Sequence, residues 1–272
     1  MDSSIASLTS LSSEEPASVF PFFDLPSELR LNILELILVQ PDTVDLDPLN
    51  YRSIARPLLR LFLTSRRMHE EAYRVFYGSN TFRLFAVHGR FFHTKRPLFM
   101  RLPPKYKAAI RTLELRLGPG WTAPPKSWVA NPRLGLMEAA ALRVLNIFVE
   151  CDPASDEIFK GFRVAGDFYT IFSRDLVKSI FAQVPTITEV HFDGYPSVAK
   201  QSPLIDALLD EAKIQGKKIT WGSLKAWADG SAAELTKALA SLEIDTETSS
   251  PTIDTGLSGN SNSLMQLVAV EA

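Results

Sequence analysis

The sequence predicts a mixed α and β fold, in which an N-terminal helical unit precedes a mostly parallel sheet of four to five strands with crossover helices. Two patterns predict it. Apolar residues recur at helical spacing between residues 25 and 78, and short apolar or alternating segments recur between residues 80 and 221. The 272 residues are 46% hydrophobic and 22% charged, which is enough apolar sequence for a sizeable core.

Four segments are expected along the chain. Residues 1–19 and 244–272 are expected to be disordered tails, because most of their sequence is polar and rich in serine. Residues 20–79 are expected to form the helical unit, and residues 80–243 the strand–helix domain.

The first predicted helix lies in the stretch "FPFFDLPSELRLNILELIL". It begins near Pro26, since proline is tolerated in a first helical turn. Apolar residues then form a stripe at helical spacing, at Leu29, Ile33, Leu36 and Ile37. Three further leucines, Leu25, Leu34 and Leu38, make the stripe wider than one packed face needs. The helix is therefore either buried on most sides or presents apolar residues to a partner.

A polar loop, "QPDTVDLDP", is expected to follow from Gln40 to Pro48. A second helical region then runs from Arg56 to Gly78, where glycine is well placed to end it.

Five segments have the pattern of strands: Asn80–Val87, Ile110–Leu117, Leu142–Glu150, Ile187–Phe192 and Lys217–Trp221. The third is nearly continuously apolar, which predicts a central strand covered on both faces. Helical segments are expected between them, at 137–141, 167–184 and 203–215. Strand centres about 30 to 45 residues apart suit crossover units. The sheet is thus expected to be parallel and leucine-rich-repeat-like.

Residues 25–38, "LPSELRLNILELIL", resemble the first helix of the F-box motif. Residues 61–82, "LFLTSRRMHEEAYRVFYGSNTF", resemble the later F-box helix of many filamentous-fungal F-box-like proteins. The residues that match that later pattern are Thr64, Arg66, Glu71, Ala72, Tyr77, Asn80 and Phe82. The two matches occur in order and cover about residues 20–85.

The resemblance implies that the helical unit binds a Skp-type adaptor of a cullin–RING ubiquitin ligase, and that later residues recognise an unknown protein target. The adaptor-contacting residues would be Leu25, Pro26, Leu29, Ile33 and Leu36. In this mode of binding, the apolar face of a helix lies in a hydrophobic groove of the partner, and its anchor residues are spaced three and four positions apart. An alternative stays open, in which the helices form a scaffold on their own sheet and bind no adaptor.

Two loops that follow predicted strands are expected to bind the target. They are Gly118–Pro132 and Cys151–Phe168, and their aromatic residues are Trp121, Trp128, Phe159 and Phe162. Stiff loops that carry aromatic residues lose little entropy on binding. We expect the loops to lie side by side at the C-terminal edge of the sheet, with at least one tryptophan exposed. The alternative is that both tryptophans cover the sheet ends.

The charge is unevenly distributed. Residues 51–116 carry fifteen Lys or Arg against three acids, between acidic flanks. An alternative function is therefore a nucleic-acid or polyanion binder that uses this segment. Within it, residues 90–107 interleave aromatic and basic residues. We expect the phenylalanines there to fill the core, so nucleic acid is not the expected partner.

Enzyme chemistry is not indicated. His69, His88, His93 and His191 show no zinc spacing, Cys151 stands alone, and there is no G-x-S-x-G elbow or phosphate loop. No cofactor or metal is expected. One cysteine and the absence of a signal-peptide or membrane-span pattern predict an intracellular protein of the cytoplasm, the nucleus or both.

Arg66 is expected to hydrogen-bond backbone carbonyls or an acid near the first strand, and so to hold the helical unit against the sheet.

Overall fold

The computed structural model describes residues 20–47, 49–87, 92, 96–120, 125–154 and 166–222. The two expected tails, 1–19 and 244–272, lie outside the described residues.

Six strands form one sheet in which every neighbouring pair is parallel. The strands are β1 (Val44–Asp45), β2 (Thr81–Arg83), β3 (Thr112–Leu117), β4 (Val144–Val149), β5 (Glu189–Gly194) and β6 (Lys218–Trp221). Their order across the sheet is their order in sequence. The predicted mixed fold and parallel sheet are confirmed. The prediction of four to five strands is wrong, because the short edge strand β1 is a sixth.

Seven α-helices accompany the sheet in the described residues. They are α1 (Ser27–Leu38), α2 (Asn50–Thr64), α3 (Arg66–Ser79), α4 (Leu98–Arg101), α5 (Pro104–Ala109), α6 (Phe168–Gln183) and α7 (Pro203–Ile214). The helix predicted at 137–141 is only a 3-10 turn, Leu136–Glu138.

The second helical region divides at Ser65. This residue has extended backbone angles, and its hydroxyl accepts a hydrogen bond from the Met68 N–H at 3.1 Å. Ser65 is therefore an N-cap, and its capping bond satisfies one of the N–H groups that the start of α3 leaves without a helical partner.

The sheet has one face inside the core and one face outside it. In β3, Leu113, Leu115 and Leu117 are fully buried in the hydrophobic core, together with residues of the helices. Successive parallel crossovers of one hand place helices on a single face of such a sheet. β4 follows the same alternation, because Asn146 and Phe148 are only half-buried. The expectation that β4 is covered on both faces was therefore wrong.

The three N-terminal helices share their hydrophobic core with the sheet. Leu34 of α1 and Phe76 of α3 belong to the same buried cluster as Phe82 of β2. β1, which lies within 20–79, pairs with β2 through Val44 opposite Phe82. The chain between α1 and α2 thus adds an edge strand to the sheet.

None of the helices in the described part of the chain combines the length and the apolar character that a membrane crossing requires.

Candidate interaction surfaces

Helix α1 has one buried face and, beside it, one apolar stripe that is open to solvent. Arg30, Leu34 and Leu38, spaced four residues apart, are buried where α1 packs on α3. The adjoining stripe contains the exposed residues Leu29, Leu36 and Ile37 and the half-buried Ile33. The width of the apolar pattern therefore arises from one buried face and one face open to solvent.

The residues predicted to contact an adaptor lie along this open side. Leu36 is 87% exposed and Leu29 is 49% exposed. Pro26 is exposed, whereas Leu25 and Ile33 are half-buried. Leu63, near the C-terminal end of α2, is also exposed. We call the set Leu29, Ile33, Leu36 and Ile37 the α1 stripe.

A charged contact fixes α1 on α3 beneath this stripe. The Arg30 guanidinium donates two hydrogen bonds of 2.9 Å to the two carboxylate oxygens of Glu71. It also donates to the Leu25 carbonyl at the start of the helix. The hydrogen bonds from Arg30 hold the pKa of Glu71 below its usual range.

The role predicted for Arg66 is wrong. Arg66 is exposed in the first turn of α3 and makes no ion pair or side-chain hydrogen bond with any residue that the structure describes. Its neighbour Arg67 instead lies 4.7 Å from the centroid of the Phe23 ring and pairs with Glu71. The sequence did not indicate this role for Arg30, because its partner Glu71 lies 41 residues away along the chain.

Besides Glu71, three residues of the later F-box-like pattern have structural roles. The buried Asn80 side chain donates to the Leu38 carbonyl at 3.0 Å and to the Phe76 carbonyl at 2.8 Å. It accepts from the Gln40 N–H at 2.7 Å. Tyr77 stacks on Phe82 with ring centroids 5.4 Å apart. The pattern thus marks the packing of α1 and α3 onto the sheet edge.

The second surface is the outer face of the sheet. One row of residues crosses all six strands in register: Asp45, Arg83, Glu114, Asn146, His191 and Thr220. These positions share a face because residues paired in register on neighbouring strands point to the same side of a pleated sheet. A shallow groove of about 570 Å³ runs along this face.

Arg83 organises one end of the groove. Its Nε donates to Glu114 Oε1 at 2.7 Å, and its Nη1 donates to Asp45. Thr43 Oγ1 donates to the other Glu114 oxygen at 2.7 Å. Burial opposes the charged guanidinium, but Glu114 and Asp45 more than offset it and raise the pKa of Arg83.

Further along the groove, Arg116 lies 4.7 Å from the Phe148 ring centroid and donates to the Tyr195 hydroxyl at 2.7 Å. Its Nε also pairs with Glu150. The Asn146 amide makes no side-chain hydrogen bond to the described residues. Glu114 and Arg116 alternate along β3 with the buried leucines, but the row across the six strands depends on the strand register, which the sequence did not provide.

Of the residues predicted to bind a target, Trp128 lies in the core. It is 2% exposed and stacks on Phe85, with ring centroids 5.3 Å apart. Trp128 therefore cannot serve as an exposed anchor, since the loop folds its indole inward. Trp121, Phe159 and Phe162 lie outside the described residues.

The first residues of the two predicted loops, Gly118 and Cys151, lie next to each other where β3 and β4 end. The expectation that the whole loops lie side by side stays a prediction, because residues 121–124 and 155–165 lie outside the described residues. The Gly118 N–H donates to the Tyr169 hydroxyl at 2.7 Å. Gly118 has a φ of 114°, and a Cβ there would lie 2.9 Å from the Cys151 nitrogen, so this close approach of backbones needs glycine.

The basic segment 51–116 is partly neutralised within the molecule. Arg83 pairs with Asp45, Lys107 pairs with Glu138, and Arg116 pairs with Glu150. Phe99 is fully buried, as expected for the aromatic residues of 90–107. These contacts favour an ordinary charged surface over a continuous polyanion site.

The described residues contain no group of three or more His, Cys, Asp or Glu that could hold a metal ion. His69 contacts the Phe62 carbonyl and the Tyr106 hydroxyl, each at 3.2 Å, and His191 contacts Thr220 Oγ1 at 3.1 Å. His88 and His93 lie outside the described residues.

Comparison of the chain with protein-family models, curated proteins and solved structures finds no match in any of the three.

Proposed function

We propose that this chain is a non-enzymatic, F-box-like interaction protein that connects a protein target to a cullin–RING ubiquitin ligase through a Skp-type adaptor. The observation that carries the proposal is the α1 stripe. A helix with a buried face toward α3 and a second apolar face toward solvent leaves that second face available to another chain.

The geometry supports an adaptor at this position in two ways. Arg30 and Asn80 fix α1 rigidly on α3 and the sheet, so the stripe is preorganised and loses little entropy on binding. The α1 stripe also coincides with the part of the chain that resembles the first F-box helix. The leucine-rich-repeat-like sheet would then present the target.

Co-purification with a Skp-type adaptor at micromolar concentration tests the proposal. Leu36→Asp and Leu29→Asp should each weaken adaptor binding by about thirtyfold or more, because a charge would enter an apolar contact of hot-spot strength. Leu36 is so exposed that its replacement should leave the fold intact.

Ile214→Asp is the matched control. Ile214 is 77% exposed at the end of α7, so this variant makes the same chemical change away from α1. It should bind the adaptor like the wild-type protein. A wild-type protein that captures no adaptor would overturn the proposal and leave the F-box-like scaffold without an adaptor.

A further inference from the structure

A small apolar cavity lies beside the sheet, away from the α1 stripe. Its volume is about 130 Å³, and its apolar wall is formed by Leu46, Phe85, Phe92, Leu98 and Trp128. An apolar cavity of about 150 Å³ holds a benzene molecule. This cavity therefore has room for one branched aliphatic or small aromatic side chain.

The cavity shares a wall with a second groove of about 420 Å³. Both are lined by Arg96, Pro97 and Ser127. Ser127 belongs to the shared wall, and its buried hydroxyl oxygen has no hydrogen-bond partner among the residues that the structure describes. A ligand with an apolar part and a polar part would span the two spaces.

Three guanidinium groups surround these spaces: Arg96 and Arg101 beside the cavity, and Arg133 in the groove. All three are exposed, and none forms an ion pair with a described residue. Neither lining contains an acidic residue. This differs from Arg83 and Arg116, each of which is paired with a carboxylate.

The acids that flank the lining residue Leu46 in the sequence are engaged elsewhere. Next to Leu46 in the sequence, Asp45 pairs with Arg83, and Asp47 accepts a hydrogen bond of 2.7 Å from the Leu49 N–H. Residues 88–95 and 121–124, which adjoin the lining in sequence, contain no Asp or Glu. The positive charge at the mouth of the cavity is therefore not neutralised by its sequence neighbours.

We propose that this site binds an acidic segment of a partner protein, with one apolar side chain in the cavity and the flanking carboxylates on Arg96, Arg101 and Arg133. The guanidinium fork matches a carboxylate and forms the stronger, charge-assisted hydrogen bonds. This binding would give the proposed receptor its class of target, and to that extent it rests on the proposed function.

The test uses three fluorescein-labelled peptides, GDELDEG, GDESDEG and GKKLKKG, and measures anisotropy with the full chain at low salt. GDELDEG should bind at least about tenfold more tightly than either of the others, because only it supplies both the apolar side chain and the carboxylates. Raising the salt should weaken this binding. Equal affinity for GDELDEG and GDESDEG, or no binding of GDELDEG, would overturn the proposal.

Charge reversal locates the binding site. Arg96→Glu with Arg101→Glu should reduce GDELDEG affinity by at least about tenfold, whereas Arg52→Glu, at an exposed arginine on α2, should not. Unchanged binding in the double variant would overturn the site. The peptide assay contains no adaptor, and the Leu36→Asp variant should bind the peptide normally. A failure of this site can therefore be distinguished from a failure of adaptor binding.

Discussion

The Arg30 guanidinium and the Glu71 carboxylate form a paired hydrogen-bond contact, 2.9 Å on each side, that joins α1 to α3. Arg30 lies on the buried side of α1, and in the sequence it stands between Leu29 and Ile33 of the α1 stripe. The contact therefore sets the rotation of α1 about its own axis, and with it the direction in which Leu29 and Leu36 face.

Glu71→Gln should make the stability of the protein less dependent on pH. Because the pKa of Glu71 is lowered in the folded state, its contribution is complete above the unfolded-state pKa of about 4.3 and is lost as the pH falls through the lower folded-state pKa. The variant should be less stable than the wild-type protein at pH 7 and should converge with it in strong acid. Urea unfolding at a series of pH values measures this.

Glu35→Gln is the control for that series. Glu35 is exposed on α1 and forms no ion pair with a described residue. Its replacement should leave the pH dependence of the unfolding free energy close to that of the wild-type protein. A Glu71→Gln variant with the wild-type pH dependence would show that the ionised Glu71 carboxylate contributes nothing to folding.

Asn80→Ala should destabilise the fold by about 2 to 4 kcal/mol, because it leaves the Gln40 N–H and the Leu38 carbonyl without the partner they have in the wild-type protein. The unfolding free energy from urea titration measures the loss. Asn32→Ala, at an exposed asparagine of α1, should change it by less than about 0.5 kcal/mol. Similar losses in the two variants would contradict the bridging role of Asn80.

The sequence predicted the long elements because their patterns are local. The alternation in 110–117 and the apolar stripe of 25–38 correspond to β3 and α1. β1 could not be predicted in this way, because two residues in a polar, proline-containing loop become a strand only when β2 lies beside them. Its pairing is a tertiary event.

The surfaces were harder to predict than the elements. The exposed positions of α1 follow from helical spacing, but which face of the helix is buried depends on α3. Trp128 lies in a proline-rich loop, where an exposed and an inward-facing indole have the same sequence pattern. The break at Ser65 did have a local signal, since serine is a preferred N-cap, but the apolar period continues across it.

Trp128→Ala should destabilise the protein by about 3 to 5 kcal/mol, because it removes a buried indole that stacks on Phe85 and leaves a cavity. Met137→Ala, which shortens an exposed apolar side chain, should cost less than about 0.5 kcal/mol. Urea unfolding compares the two. A small loss of unfolding free energy for Trp128→Ala would contradict its role in the core and make it a candidate target-binding residue again.

The ion pairs of Arg83 allow a test of what buried charge contributes at the sheet edge. Arg83→Met should cost about 3 to 5 kcal/mol in urea unfolding at pH 7, because Asp45 and Glu114 remain as largely buried carboxylates without their cation. Adding Asp45→Asn and Glu114→Gln to the same protein should recover most of that loss, since the charges that lack a partner are then gone. If the triple variant is as unstable as Arg83→Met alone, the side chain of Arg83 acts through its packing, and the carboxylates on either side of it are not the source of the cost.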